Sequence, residues 1–180
     1  MLKEKIQQLA KQYADEFIAV RHHIHANPEL SYKEFETSKF IQQKLQGWNI
    51  PFEVMATTGV VGLIKGKNPD KKIIALRADM DALPITEVND VAYKSKNTGV
   101  MHACGHDVHT TCLLGAAKIL SELKDEWEGT VKKSRRCQLY DQGRGAGKSE
   151  AGKNICLTCA PGYGSGAVEF QGGYGNGQCR

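Results

Sequence analysis

The chain has 180 residues, of which 41% are hydrophobic and 24% charged, a balance typical of a globular domain with its own core. No apolar run approaches the ~20 residues needed to cross a bilayer, so we expect no membrane span. Residues 1–17 are amphipathic but lack an apolar core and a small-residue cleavage site. This pattern argues against a secretory signal and predicts a cytoplasmic protein, in which six cysteines do not indicate a disulfide framework.

The net charge of +4 is distributed unevenly along the chain. Residues 1–132 contain 17 basic and 17 acidic side chains, whereas residues 133–180 contain 7 basic and 3 acidic ones. This second part is also rich in glycine and poor in large aliphatic residues, so it cannot bury enough apolar surface to offset its ordering entropy. We therefore expect residues 133–180 to be a poorly ordered basic tail.

Three helices are predicted from apolar residues that recur near the helical period. They are residues 2 to about 25, Tyr32–Gln46 and Val108–Leu123. Pro28 ends the first helix because it disfavours helical backbone at Asn27. Ser31 and Asp107 occupy the N-cap positions of the second and third helices, and Gly47 ends the second.

Strand-like runs alternate with these helices and are separated by turn residues such as glycine, asparagine and proline. The runs are Phe52–Ala56, Val60–Lys65, Ile73–Ala78 and the opening of a strand at Thr130–Lys132. Helices that alternate with strands predict an α/β fold, in which helices cover a sheet.

A cluster of polar residues between Met101 and Thr111 is the strongest functional signal. In an extended segment Cys104 and His106 would point to the same side, so that one metal ion could bind both. A thiolate and an imidazole suit zinc or a similar transition metal. His102, Asp107 and His109 lie beside them; the alternative is a polar loop with a buried cysteine and helix-capping residues.

Two aspartates form a second candidate group. Asp79 and Asp81 follow an apolar strand, and the carboxyl ends of strands are where α/β folds place their sites. They could bind metal or orient an imidazole that does, whereas the alternative is a strand-ending turn with solvated carboxylates. Three further histidines, His22, His23 and His25, lie in the last turn of the first helix and are interpreted as solvated or structural.

Four segments in succession resemble the signatures of one family, the amidohydrolase branch of peptidase family M-twenty. The segments are Arg21–Leu30 (RHHIHANPEL), Leu76–Pro84 (LRADMDALP), Met101–His109 (MHACGHDVH) and Gly129–Lys132 (GTVK). Hippurate hydrolases, N-acyl-amino-acid deacylases and indole-acetyl-amino-acid hydrolases belong to this branch. The resemblance covers residues 1–132, in order.

The resemblance implies that residues 1–132 are the N-terminal part of a zinc-peptidase-like catalytic domain, with a mixed sheet, flanking helices and no lid domain. It implies a hydrolase that binds two divalent ions (Zn, Mn or Co) and cleaves the amide of an N-acyl amino acid or small peptide. Cys104 would bridge the two ions and His106 would be a terminal ligand. Four neighbours would orient these ligands: Asp79, Asp81, Asp107 and His109.

The sequence departs from the family after Lys132. The family continues LIFQPGEE, whose glutamates supply the general base and a further ligand, whereas this chain continues KSRRCQLYDQ. The later HVHP histidine is also missing. We therefore expect no retained catalytic base and no appreciable hydrolysis by this chain.

The genetic code offers an explanation for the departure. When the tail is back-translated with free choice of synonymous codons and read one nucleotide later, Leu139–Leu157 can become FMIKEGVLENPKPEKIFAL. Thr158–Arg180 can become HVHPGMEAGQLSFRAGMVMASA, which resembles the family sequence after its glutamate pair. We infer that a small deletion removed the glutamates and shifted the frame. On this hypothesis a phosphate-loop-like run (Gly143–Ser149) and a lone C-x-x-C pair (Cys156 and Cys159) have no function.

Two alternatives stay open at this point. The chain could be a non-enzymatic protein that binds nucleic acid or another partner through its basic, glycine-rich tail. The frameshift could also be a sequencing error, in which case the cell makes a complete enzyme. Neither the acyl group and amino acid of the substrate nor the oligomeric state can be read from this sequence.

Overall fold

The computed structural model describes residues 1–131 and, as backbone, residues 157–160. These described residues form four helices: α1 (Leu2–Gln12), α2 (Ala14–Ala26), α3 (Phe35–Gly47) and α4 (His106–Glu122). They also form seven strands: β1 (Phe52–Met55), β2 (Gly59–Gly62), β3 (Ile64–Lys65), β4 (Ile73–Ile74), β5 (Arg77–Asp79), β6 (Thr130–Val131) and β7 (Leu157–Ala160). The predicted α/β class is confirmed.

The first predicted helix is two helices that meet at Tyr13, where φ is −97° and ψ is 7°. The Tyr13 side chain is engaged by α4 at this break. Its hydroxyl donates a hydrogen bond to Glu122 Oε1 at 2.6 Å, and the Lys118 ammonium lies 4.3 Å from its ring centroid. The prediction of one continuous helix was therefore wrong. The break at Tyr13 coincides with a tertiary contact that helical periodicity does not reveal.

The second predicted helix begins three residues late and is not capped by Ser31. Tyr32 has a left-handed backbone with φ of 66°, which is incompatible with a helix beginning there. The capping oxygens come instead from Glu29, whose carboxylate accepts the backbone N–H groups of Glu36 (3.2 Å) and Thr37 (2.7 Å). The Ser31 cap was therefore wrong, since a side chain from the preceding segment serves the helix end.

Two of the predicted strands divide between two sheets. The sheets have the orders β1-β2-β7-β5 and β3-β6-β4, with both parallel and antiparallel neighbours. The run Val60–Lys65 leaves the first sheet at Leu63, whose N–H bonds the carbonyl of Pro51 at 2.8 Å, and then continues as β3. The run Ile73–Ala78 divides into β4 and β5 in the same way. A mixed sheet was expected, but its division into two was not.

The tail prediction falls mostly outside the described residues. Within it, the structure describes only the backbone of β7, a strand that residue patterning did not predict. The phosphate-loop-like run and Cys156 also lie outside the described residues. Among the described residues, no helix is long and apolar enough to span a membrane.

The core lies between the helices and the sheets. Its most buried side chains come from all of these layers and include Val20, Ile24, Ile41, Leu45, Val60, Met80, Leu114 and Ala117. Helices α2 and α4 approach each other closely at Gly115, where a Cβ atom would lie 3.1 Å from the Phe17 ring. Helix α4 is also tied to the end of β5, because the Thr110 hydroxyl donates to the Asp79 carbonyl at 2.9 Å. This packing brings the start of α4 to the carboxyl end of β5.

Candidate functional site

The candidate site lies in the turn before α4. Met101 and Leu83 exchange two backbone hydrogen bonds of 3.0 Å, which fix the entry to this turn. Gly105 is the N-cap of α4 and has a left-handed backbone with φ of 74°, a conformation that glycine adopts without steric cost. Cys104 is exposed on one side of Gly105, and His106 is the first helical residue on the other.

Two sequence predictions about this turn were wrong. Cys104 and His106 do not lie in an extended segment, because Gly105 bends the chain and α4 begins at His106. Asp107 is not the N-cap but lies in the first turn of α4, where a carboxylate interacts favourably with the helix dipole. The two candidate ligands are neighbours because of a left-handed turn and not because of strand periodicity.

His106 is oriented by Asp81, from the end of β5. Its Nδ1 atom lies 2.9 Å from Asp81 Oδ1 and 3.0 Å from the Asp81 carbonyl oxygen. A carbonyl oxygen can only accept, so Nδ1 carries a proton and donates; when the ring is neutral, the lone pair is on Nε2. The hydrogen bond to Asp81 raises the pKa of His106, although partial burial opposes this. A carboxylate bound to the far nitrogen of a histidine is the usual arrangement at metal sites.

The other predicted orienting residues behave differently. The Asp79 carboxylate pairs with Arg77, with an Nε–Oδ1 distance of 3.0 Å, rather than with a candidate ligand. His109 is exposed on α4, and its ring centroid lies 6.1 Å from that of His106. Asp107 is buried and binds side chains of α2. Of the four orienting residues predicted, Asp81 is the one whose carboxylate lies within hydrogen-bond distance of His106.

A buried charge network surrounds Asp107. Its Oδ2 atom lies 2.8 Å from His25 Nδ1 and 3.0 Å from Arg21 Nε. The other ring nitrogen of His25 lies 3.1 Å from Glu87 Oε1, and Glu87 also accepts the backbone N–H of Ser95 at 2.7 Å. Burial opposes ionisation of Asp107, but the hydrogen bonds from His25 and Arg21 hold its pKa below the usual value. Glu87 behaves similarly: despite the desolvation, bonds from Ser95 and His25 lower its pKa.

His102 is buried beside this network and has no hydrogen-bond partner within the described residues. It is 4% exposed, and neither of its ring nitrogens makes a hydrogen bond there. Burial is the main cause that lowers the pKa of His102 to about 4, so the ring is neutral at pH 7. The sequence pattern placed His102 in the cluster but gave it no role.

Three members of the network were not anticipated from the sequence. Arg21 and His25 belong to a segment that the resemblance singled out, and His25 is structural as interpreted, but its link to Asp107 was missed. Glu87 was not singled out, because it lies in an irregular loop 62 residues from its histidine partner. Glu87 is an isolated acidic residue after LRADMDALP, and an isolated residue produces no periodic pattern.

Cys104 and His106 are suitable donors for a metal ion, but two protein ligands are fewer than a metal site needs. A thiolate and an oriented imidazole are good transition-metal ligands. A catalytic zinc site has about three protein ligands. In residues 1–131, no group of three or more Cys, His, Asp or Glu side chains is arranged to hold an ion. The described residues therefore offer part of a metal site.

The chain is similar to known proteins of one family. Residues 75–133 match the model of Peptidase family M20/M25/M40. An N-acyl-L-amino acid amidohydrolase of Geobacillus stearothermophilus is 45% identical over 133 residues, which are 73% of this chain and 36% of the relative. A hippurate hydrolase of Campylobacter jejuni is 56% identical over 108 residues, 59% of this chain and 28% of the relative.

A solved structure shares the fold as well. The Bacillus subtilis dinuclear metal-binding peptidase of the M20 family superimposes with a TM-score of 0.64 at 42% identity, over 67% of this chain and 34% of that one. The chain thus shares the α/β fold of this metal-binding peptidase. This chain belongs to peptidase family M20, and it spans about a third of the length of the relatives it matches.

Proposed function

We propose that residues 1–132 are the N-terminal part of the catalytic domain of a metal-dependent amidohydrolase, with Cys104 and His106 as two of its metal ligands. The observation that carries this proposal is the bond from His106 Nδ1–H to Asp81, because it orients an imidazole that lies two residues after the exposed thiol of Cys104. The names of the relatives support a substrate class of N-acyl amino acids or small peptides. Two divalent ions would polarise the scissile carbonyl and activate a water there.

In this proposal each residue has a limited role. Cys104 would help to hold the ions through a thiolate, and His106 would do so through a ring nitrogen. Asp81 fixes the tautomer and the direction of the His106 ring. The donor set does not discriminate between Zn, Mn and Co, although a thiolate favours the softer ions.

We propose further that this chain does not hydrolyse these substrates itself. The strand β6 ends at Val131, and the family's glutamate pair would follow it, but the sequence reads KSRRCQLYDQ from residue 133. Without a general base near the ions, a bound water would lack a proton acceptor. The end of the family-model match at residue 133 agrees with a departure at this point.

The pairing of β7 supports the frameshift hypothesis. This strand runs parallel to β5, with Thr158 opposite Arg77 and Ala160 opposite Asp79. In the shifted reading, positions 158–161 read HVHP. The family's histidine strand would then end beside Asp79, at the edge of the sheet where His106 lies. We infer that the out-of-frame residues take the place of that strand.

The alternative, a protein that binds nucleic acid or a partner through its basic tail, depends on residues 133–180. Except for the backbone of β7, these lie outside the described residues, so the alternative stays open. It predicts salt-dependent nucleic-acid binding that disappears when residues 133–180 are removed. A filter-binding assay with the full chain and the shortened chain discriminates between the two classes.

The proposal is tested on the purified full chain with hippuryl and N-acetyl amino acids, with and without added Zn²⁺, Mn²⁺ or Co²⁺. We expect metal binding that depends on Cys104, without metal-dependent hydrolysis. Metal-dependent hydrolysis would contradict the missing base. Metal binding that is indifferent to Cys104 would contradict the ligand assignment.

A further inference from the structure

The segment RHHIHANPEL has no role in the proposed function so far, although it contains the most deeply buried charged contacts of α2. Arg21 and His25 are four residues apart, so they lie on the same face of the helix. Both side chains reach the same atom, Oδ2 of Asp107, in the first turn of α4. One face of α2 is therefore joined to the start of α4 by two hydrogen bonds to one oxygen.

The second ring nitrogen of His25 also has a buried partner. Its Nε2 atom faces Glu87 Oε1, and the side chains of His25 and Glu87 are 6% and 1% exposed. Because Asp107 and Glu87 both have lowered pKa values, both are ionised at neutral pH and accept hydrogen bonds. His25 therefore bridges the two carboxylates, with Nδ1 2.8 Å from Asp107 Oδ2 and Nε2 3.1 Å from Glu87 Oε1.

The bridge through His25 bears on the candidate metal ligands because of where Asp107 lies in the chain. Asp107 directly follows His106, whose ring is held by Asp81 from the end of β5. The turn from Cys104 to Asp107 is thus held at two points, at His106 by Asp81 and at Asp107 by α2. A shift of Asp107 would rotate the first turn of α4 and move His106 against its bond to Asp81.

We propose that His25 and Arg21 are positioning residues, which hold Asp107 and thereby keep the Cys104 thiolate and the His106 imidazole directed at a common metal ion. This inference rests on the proposed function for the metal, but the anchoring of the turn can be measured without metal. The proposed role differs from a general contribution to stability, because it attributes the effect on the turn and on metal binding to the contact between His25 and Asp107.

A pair of substitutions separates the two contacts of His25. Asparagine places an amide N–H near the position of Nδ1, so His25→Asn keeps a donor toward Asp107. Glutamine places its N–H near the position of Nε2, so His25→Gln keeps a donor toward Glu87. His23→Gln is the matched control, since His23 lies in the same segment and stacks on Phe40 with centroids 4.0 Å apart, away from the network.

The first readout is Co²⁺ affinity of the full chain, taken from the thiolate-to-cobalt absorption that a Cys104→Ser variant lacks. We expect His25→Gln to lower this affinity about 10-fold or more, in the range seen when groups behind metal ligands are removed. We expect His25→Asn and His23→Gln to change it less than about 3-fold. Equal losses in both His25 variants, or a larger loss in His25→Asn, would overturn the proposal.

The second readout is amide hydrogen exchange of residues 104–108 without metal, compared with exchange at Leu114 in the middle of α4. We expect His25→Gln to accelerate exchange in the turn selectively, by about 10-fold or more, and His25→Asn to do so less. Uniform acceleration along α4 would show a role in stability alone and would overturn the proposal. If no Cys104-dependent cobalt signal exists, the metal assignment fails, and selective exchange in the turn still decides whether His25 anchors it.

Arg21→Met provides a second test if both His25 variants unfold. It removes one donor to Asp107 from a side chain that is 31% exposed and keeps the apolar stem. We expect the same selective acceleration of exchange in residues 104–108, with a smaller amplitude than in His25→Gln. Unchanged exchange in the turn of a folded Arg21→Met variant would contradict the role assigned to Arg21.

Discussion

The carboxylate of Asp81 lies 2.9 Å from Nδ1 of His106, a residue 25 positions later in the chain. Asp81 follows the end of β5 and His106 begins α4, so the contact joins two of the family-like segments. The Asp81 carbonyl oxygen accepts from the same nitrogen at 3.0 Å, which leaves no ambiguity about the tautomer. Because of these two contacts with Asp81, His106 is an oriented candidate metal ligand.

Asp81→Asn tests the orientation of His106. We expect the substitution to weaken metal binding by about 10- to 100-fold, because the ring loses a charged acceptor that fixes its direction and strengthens Nε2 as a ligand. Isothermal titration of the full chain with Zn²⁺ measures the affinity. Asp79→Asn is the control, because the Asp79 carboxylate pairs with Arg77; an equal loss in the control would contradict the specific role of Asp81.

Glu34 gives the fold a pH dependence of predictable sign. Its side chain is fully buried and accepts hydrogen bonds from Thr58 Oγ1 (2.9 Å) and the Tyr32 N–H (3.0 Å). Burial raises the pKa of Glu34 above 4.5, partly offset by these hydrogen bonds. The folded state therefore holds this proton more tightly than the unfolded state, so Glu34 disfavours folding at neutral pH and this cost diminishes as pH falls through the raised pKa toward 4.5.

Glu34→Gln is expected to remove this pH dependence and to raise the free energy of unfolding at pH 7. Urea unfolding at pH 7 and at pH 5 measures both effects. Glu36→Gln, an exposed neighbour in the first turn of α3, serves as control. A lower stability of Glu34→Gln at pH 7 would show that the folded state favours the ionised carboxylate, which is the opposite sign.

Gly129 is expected to tolerate no side chain. Its φ is 108°, and a Cβ atom there would lie 2.4 Å from the Lys72 carbonyl oxygen. Gly129→Ala should lower the free energy of unfolding by roughly 2 kcal/mol or more, since both strain and a backbone clash are introduced. In contrast, Gly47→Ala in α3 meets no atom within 4 Å and should stabilise the helix by up to ~1 kcal/mol. Comparable effects at the two glycines in urea unfolding would contradict this assignment.

The nucleotide sequence of the gene tests the frameshift hypothesis. We expect the reading frame displaced by one nucleotide from the codon of Lys133 onward to encode family-like text through the HVHP segment. Synonymous codons make many other texts compatible with the same protein, so agreement is informative. A displaced frame interrupted by stop codons or without that text would contradict the hypothesis, and the intact mass of the natural protein would show whether the cell makes this chain.

The sequence singled out the residues of the candidate site but not their geometry. Cys104, His106 and Asp81 were identifiable because thiol, imidazole and carboxylate groups stand at a strand end and before a helix, where sites are placed. Their actual arrangement depends on the left-handed Gly105, which side-chain periodicity does not encode. The expectation of an extended turn was therefore wrong, whereas the selection of residues stays a prediction.

The supporting contacts were harder to predict because their partners are distant in sequence. Glu87 and His25 are 62 residues apart, and the Glu29 cap of α3 replaces the local serine signal. Burial of a histidine between two carboxylates cannot be read from a segment with three similar histidines. The strand divisions at Leu63 and after Ile74 likewise depend on which neighbours the sheets offer.

The central claim is that Cys104 and His106 form part of a metal site, and Co²⁺ titration of the full chain tests it most directly. We predict a thiolate-to-cobalt absorption band that disappears in Cys104→Ser and weakens about 10-fold or more in affinity in His106→Gln. The band should persist in Cys112→Ser, which alters the other exposed cysteine of the described residues. A band that survives Cys104→Ser and His106→Gln unchanged would contradict the claim.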